Sequence, residues 1–189
     1  DFSAERARLI AERDLQPTLR RPRIVNGNEK DAQAMHAAIT LQQTLLTARL
    51  SAFESQMQQL NEQKTQTHSA IEGLVGLQQA RKDELEPHDG DLDAINRLDK
   101  KRLVRRSVLR QARRQVSRAR GDILDIASRL ATKRSKLSEI EFRIREATRK
   151  RRSEILDKLQ EIESNLGTAY EKYHAAKDQM TRLDIRAPS

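Results

Sequence analysis

Between Pro22 and Pro87 the chain runs 64 residues without proline, and between Pro87 and Pro188 it runs 100 more. Proline interrupts helices, and an ordinary globular domain meets it far more often. Such spans favour very long helices. The apolar residues decide how those helices are used. Only 36% of the chain is hydrophobic and 3% aromatic, whereas 34% is charged. That supply lines one narrow seam but does not fill a wide interior.

The seam has a heptad period. One series in the first long span is Ile39, Leu46, Phe53, Leu60, Thr67, Leu74, Arg81. Its companion is Gln43, Leu50, Met57, Lys64, Ile71, Gln78, Leu85, and nine of these 14 positions are apolar. In the second span the series are Leu109, Val116, Ile123, Leu130, Leu137, Ile144 and Ala112, Ala119, Ile126, Lys133, Ile140, Ala147. Eleven of those 12 are apolar. Alternating three- and four-residue spacing sustained over this many turns predicts a left-handed coiled coil.

Breakers divide the chain into expected segments. Residues 1–15 form a first helix. Residues 16–30 are a linker, because they hold Pro17, Pro22, Gly27, Asn26 and Asn28. An ascending helix covers 31–86, starting near Glu29–Asp31 and stopping before Pro87, since a proline disfavours helix at the preceding residue. His88-Asp89-Gly90-Asp91 reads as a tip turn over 87–94, and a descending helix covers 95–185. The last helix would be roughly 140 Å long at about 1.5 Å per residue.

After Ala147 the first register slips. The next seam positions are Arg151, Glu154 and Lys158, and an apolar series resumes one place later with Ile155, Leu159, Ile162, Leu166, Ala169, Tyr173, Ala176, Met180 and Leu183. A fold-back near residue 95 places Asp31 opposite Leu159, so the ascending partner ends where the register changes. Residues 2–15 would then pair with about 175–188. The expected fold is all-α: a single domain made of a long antiparallel coiled-coil hairpin, with a short N-terminal helix on the base of the long C-terminal helix. Gly73, Gly76 and Gly121 lie nearly opposite one another about that tip. They read either as tolerated glycines or as a thin zone of close backbone approach.

Charge is concentrated. Residues 97–120 hold eleven bases and one acid, Asp99, so this segment is +10 in a chain whose net charge is +9. Asp83, Glu84, Glu86, Asp89, Asp91 and Asp93 precede it. The block reads as a solvated face partly paired across the hairpin, or as a docking surface exposed at the turn. Arg149-Lys150-Arg151-Arg152 could meet phosphates, but its place at the register slip favours an unpaired solvated face.

Other chemistry finds little support. Asp89-Gly90-Asp91-Leu92-Asp93 fails the EF-hand pattern, because Ala94 and Lys100 stand where glycine and glutamate are required. The histidines are scattered, cysteine is absent, and no nucleophile–base pair or phosphate loop occurs. No catalytic, cofactor or metal site is expected. No run of 18 apolar residues and no signal-peptide pattern are present, so no membrane span is expected.

Three segments carry a family resemblance. Arg182-Leu183-Asp184-Ile185-Arg186-Ala187-Pro188 resembles the exit into the second half of a lipoyl-like domain in periplasmic adaptor (membrane fusion) proteins. Glu5-Arg6-Ala7-Arg8-Leu9-Ile10-Ala11-Glu12-Arg13-Asp14 resembles the first helix of haemolysin D-like adaptors of type I secretion. Leu103-Val104-Arg105-Arg106-Ser107 resembles their Leu-Val-x-Arg-Ser segment. Efflux adaptors carry Arg-x3-Leu-x6-Ser instead; Leu98 matches its leucine, but Ala94 and Arg105 depart from it.

The resemblance implies a non-enzymatic adaptor between an inner-membrane ABC transporter and a TolC-like outer-membrane channel. It would be periplasmic, anchored in the inner membrane through a segment absent here, and arranged in a ring of copies, hexameric by resemblance. Membrane and transporter contact would fall to missing parts, and residues 186–189 would begin the missing lipoyl half. Channel docking is expected from Arg97, Leu98, Arg102, Leu103, Val104, Arg105, Arg106 and Ser107. No nucleic acid or small-molecule substrate is expected. The alternatives are a basic coiled coil binding nucleic acid and a structural spacer.

Overall fold

The computed structural model describes residues 2–20 and 29–183, with side chains over 2–20 and 32–182. It contains three helices: α1 (Phe2–Arg13), α2 (Glu29–Lys100) and α3 (Arg106–Leu183). α2 and α3 form the long antiparallel hairpin, and α1 packs against α3 as a short additional helix. The chain divides into two compact units: residues 1–58 with 145–189, and residues 59–144. In a coiled coil each residue packs only on its near neighbours, so no common interior binds distant segments together.

In the second unit the seam follows the heptads. Leu109, Ala112, Val116, Ile126, Leu130 and Ile140 are buried. Their α2 counterparts Leu60, Thr67, Leu74, Ile71, Gln78 and Leu85 are half-buried, whereas Arg81 and Lys133 are exposed. Burial of one such aliphatic side chain contributes about 1.5–3 kcal/mol. Lys64 meets Glu141 at 3.0 Å, Asp89 meets Arg120 at 3.0 Å and Asn96 meets Arg113 at 3.5 Å. These pairs fix the antiparallel register.

That register moves the turn. α2 does not stop at Glu86 but continues through Pro87 to Lys100, so 87–94 is helix and the reversal occupies 101–105. Proline lacks the N–H that would bond the carbonyl of Asp83, at a cost of about 3 kcal/mol. The seam continues on both sides of it. His88, Leu92 and Ile95 extend the two heptad series and are half-buried, while Pro87 itself faces solvent. Packing there offsets the lost hydrogen bond. The glycines also have a plain account: a Cβ at Gly73, Gly76 or Gly121 would meet nothing within 4 Å. There is no close backbone approach, and the thin-zone reading falls.

In the first unit α1 was expected to take over where α2 ends and to pair with 175–188. It instead lies beside both long helices. Arg6 reaches Glu163, and Arg151 reaches the Glu12 carbonyl, so α1 is antiparallel to α3. Arg8 bonds Gln42, and Arg49 pairs with Glu12, so α1 is parallel to α2. The later reversal and this side-by-side placement together shift the α3 segment that α1 covers. Leu9, Ile155, Leu159 and Ile162 form the core, with Ile10 and Leu166 against it. The second register therefore turns toward α1. It is buried only to Leu166; Ala169, Tyr173, Ala176 and Met180 are exposed. Arg182 is exposed as well, but the rest of the exit motif, 184–189, lies outside the described residues, as does linker segment 21–28.

Candidate docking site

The reversal between α2 and α3 is built by backbone hydrogen bonds. Leu103 N–H donates to the Leu98 carbonyl at 3.0 Å, and Arg102 N–H donates to the Asp99 carbonyl at 2.8 Å. Arg102 has φ 58°. Together these make a Schellman cap, whose left-handed residue is usually glycine. α1 ends the same way. Gln16 N–H reaches the Ala11 carbonyl at 2.8 Å, Leu15 N–H reaches that of Glu12 at 3.4 Å, and Leu15 has φ 54°. Both caps put a side chain where it strains the backbone and points outward.

Every residue expected to dock gathers around this reversal. Arg97 and Leu98 occupy the last turn of α2. Arg102, Leu103, Val104 and Arg105 form the connection, and Arg106 and Ser107 open α3. Leu103 is 71% exposed, and Leu98 and Val108 are also open, while Val104 is half-buried. The arginines at 97, 102, 105 and 106 are exposed. The sequence places these residues beside the tip, in the first turns of a descending helix that begins at 95; the later reversal makes them the turn itself. Val108, which sequence reasoning does not single out, is exposed beside them and lies off the heptad seam.

The local electrostatics are unusual. α3 has no acid in its first turn, where the helix dipole favours negative charge. Arg105 precedes it, and its carbonyl accepts from Val108 and Leu109 N–H. That is an N-cap position, where Ser, Thr, Asp or Asn would satisfy a free N–H and arginine cannot. The upstream acids relieve part of the charge, through Asp89 with Arg120. The turn retains a surplus of cations around an apolar point.

The first unit holds a second polar constellation, which sequence reasoning did not foresee. Arg8 and Glu12 are buried. The Arg8 guanidinium donates to Glu12, to Gln42 at 2.6 Å and to Glu5 at 3.4 Å. The other Glu12 oxygen meets Arg49 at 3.6 Å. The spacing of Glu5, Arg8 and Glu12 puts all three on one face with Ala4 and Ala11, which is the available signal. Burial of both partners in such a pair is tolerable only when further hydrogen bonds complete it.

Around this network, Gln43 clamps the loop leaving α1. Its amide nitrogen donates to the Pro17 carbonyl at 2.8 Å, and its oxygen accepts from Leu19 N–H at 3.0 Å. Arg151 corrects the solvated-face expectation for its segment. It lies 4.3 Å over the Phe53 ring and donates to the Glu12 carbonyl at 3.2 Å, thereby capping the end of α1. Burial pushes its guanidinium below the ordinary range against the pull of Glu12 and Glu54. Arg149, Lys150 and Arg152 are exposed, as expected. Among the described residues no helix is long and apolar enough to cross a membrane, and no cluster of acids and histidines has metal-site geometry.

Fold and turn define a class: an antiparallel coiled-coil hairpin with an arginine-ringed reversal and a third helix bound by a buried ion network. Residues 1–179 match the family described as AprE, long alpha-helical hairpin, and the chain belongs to that family. It is 33% identical over 196 residues to the type I secretion system membrane fusion protein PrsE of Rhizobium meliloti (strain 1021). That match covers 99% of this chain but 42% of the relative. The crystal structure of the soluble domain of LipC, a membrane fusion protein of a type I secretion system, shares the fold. Its TM-score is 0.85 at 18% identity, covering 99% of this chain and 87% of that one.

Proposed function

We propose that this chain is the helical hairpin of a type I secretion adaptor, a non-enzymatic protein that joins an inner-membrane ABC transporter to a TolC-like outer-membrane channel. Family membership and the PrsE relation support the secretion role. The observation that carries the docking role is the reversal itself: Leu103 projects outward among Arg97, Arg102, Arg105 and Arg106. In this reading Leu98, Leu103 and Val104 supply apolar contact, the arginines meet acids at the channel mouth, and Ser107 sits at the edge of the contact. Neighbouring copies pack laterally in a ring. The whole adaptor is periplasmic, with its membrane anchor and transporter contacts outside this segment.

The test is charge reversal of Arg102, Arg105 and Arg106 to glutamate in the complete adaptor. Secretion and co-purification with detergent-solubilised channel should be lost while helical circular dichroism persists. Normal secretion would remove the docking role. A nucleic-acid-binding helix would instead hold arbitrary duplexes with an affinity falling steeply with salt.

A further inference from the structure

α2 carries a second heptad series besides its seam. Ala34, Ala38, Leu41, Leu45, Ala48 and Ala52 follow one another at alternating spacings of four and three, the period of a coiled-coil contact. At 100° per residue they lie on the side of α2 turned away from Leu46, Leu50 and Phe53. Five of the six are exposed and Ala38 is half-buried; Leu41 is 59% open and Leu45 40%.

The surroundings of this stripe are stripped of charge. In a chain that is 34% charged, the 22 residues from 32 to 53 hold a single charged residue, Arg49, which pairs with Glu12. Thr40, Thr44 and Thr47 flank the stripe. Their hydroxyls donate to the carbonyls of His36, Thr40 and Gln43 at 2.9, 3.1 and 3.0 Å, all within α2. These groups keep their hydrogen bonds when water leaves, so covering them costs little. A face that only met solvent would need neither property.

We infer that α2 pairs through this stripe with α2 of a second copy, parallel and in register. Heptad spacing specifies a helix as the occupant. In an in-register pair each residue faces its own copy, so any charge at the contact would repel itself; the stripe and its threonine flank hold none. Leu41 and Leu45 form the two central layers, and the alanines on either side let the helices close. The parallel orientation rests on the adaptor reading, because copies anchored in one membrane point the same way. A contact about 27 Å long and about 10 Å wide covers well under the roughly 800 Å² per partner of a standard interface. The pair is therefore weak between free hairpins and fills when anchoring concentrates them. It is distinct from a ring, where a rotation smaller than a half turn relates neighbours and a stripe cannot meet itself.

The chain has no cysteine, so single cysteines report the pairing. Under mild oxidant, Ala48→Cys in the 189-residue chain should form disulfide dimers about tenfold faster than Ser138→Cys, an exposed α3 position that reads random collision. Adding Leu41→Lys and Leu45→Lys should return Ala48→Cys to the collisional rate. The melting temperature of the reduced chain should not change, since neither leucine belongs to the seam. A rate equal to that of Ser138→Cys, or a fast rate kept in the lysine variant, would overturn the pairing. Preferential cross-linking of Ala48→Cys chains to Ala38→Cys chains would show an antiparallel pair and overturn the orientation. None of these measurements reads secretion, so the pairing stands or falls separately from docking at the α2–α3 turn.

Discussion

Lys64 reaches across from α2 to Glu141 on α3, with 3.0 Å between Nζ and the carboxylate. It does so from a position where the heptad calls for an apolar residue. A half-exposed pair of this kind contributes about 0–1 kcal/mol, whereas a leucine there gains about 1 kcal/mol or more by burial. Lys64→Leu should therefore raise the melting temperature. A polar residue at one seam position also specifies register at a cost in stability. Cysteine pairs engineered one heptad out of register should cross-link more readily in Lys64→Leu than in the parent; equal cross-linking would remove the register role.

Arg105 sits where α3 asks for a cap. Arg105→Asp supplies an acceptor for the free N–H groups and a charge matched to the helix dipole, together about 1–2 kcal/mol. Chemical denaturation should show the gain. Secretion by the complete adaptor should fall in the same variant if the turn docks on acids, so stability and function move in opposite directions.

Arg102 and Leu15 both hold left-handed backbone at Schellman caps. Glycine removes a cost of roughly 1 kcal/mol per site. Arg102→Gly and Leu15→Gly should each stabilise by about that amount, measured by urea unfolding. No change in either would mean that the strain is relieved elsewhere.

The buried Arg8–Glu12 pair should be asymmetric to mutation. Removing one partner leaves an uncompensated charge, costing about 3–5 kcal/mol, whereas replacing both by apolar residues is often close to neutral. Glu12→Leu alone should release α1, seen as rapid amide exchange over 2–13. Arg8→Met with Glu12→Leu should restore much of the protection. Equal loss in the single and double variants would count against the pair.

Pro87→Ala restores an N–H for the Asp83 carbonyl in the middle of α2. It should stabilise by about 2–3 kcal/mol by the helix-interior cost of proline. A destabilised variant would indicate that the proline fits a distorted helix whose packing depends on it.

Much of this fold could be read from periodicity. The series from Ile39 and Gln43, and from Leu109 and Ala112, mark buried or half-buried positions almost throughout, and the slip after Ala147 is real. The turn falls later than the sequence suggests because seam packing outweighs the bias of the residue before proline against helix. The same series extended past Pro87 reach His88, Leu92 and Ile95, which would have carried the helix onward. That residues 97–107 gather at one end of the hairpin was legible because charge and order need no register. Arg8, Glu12 and Arg151 were not, since their burial depends on three segments far apart in the chain meeting in one layer, and charged residues read as solvent-facing until that layer exists.

The distance between those segments has a consequence for how the protein assembles. α1 comes before both of its partners in the chain, yet Arg8 depends on Gln42, and Arg6 depends on Glu163. Twelve residues hold helix poorly in water by themselves. During synthesis, then, α1 waits unstructured until residues 151–163 have emerged and the long helices have paired. Its docking marks completion of the first unit, and a hairpin stalled before that point would expose the Ile155–Leu159–Ile162 face to quality-control proteases.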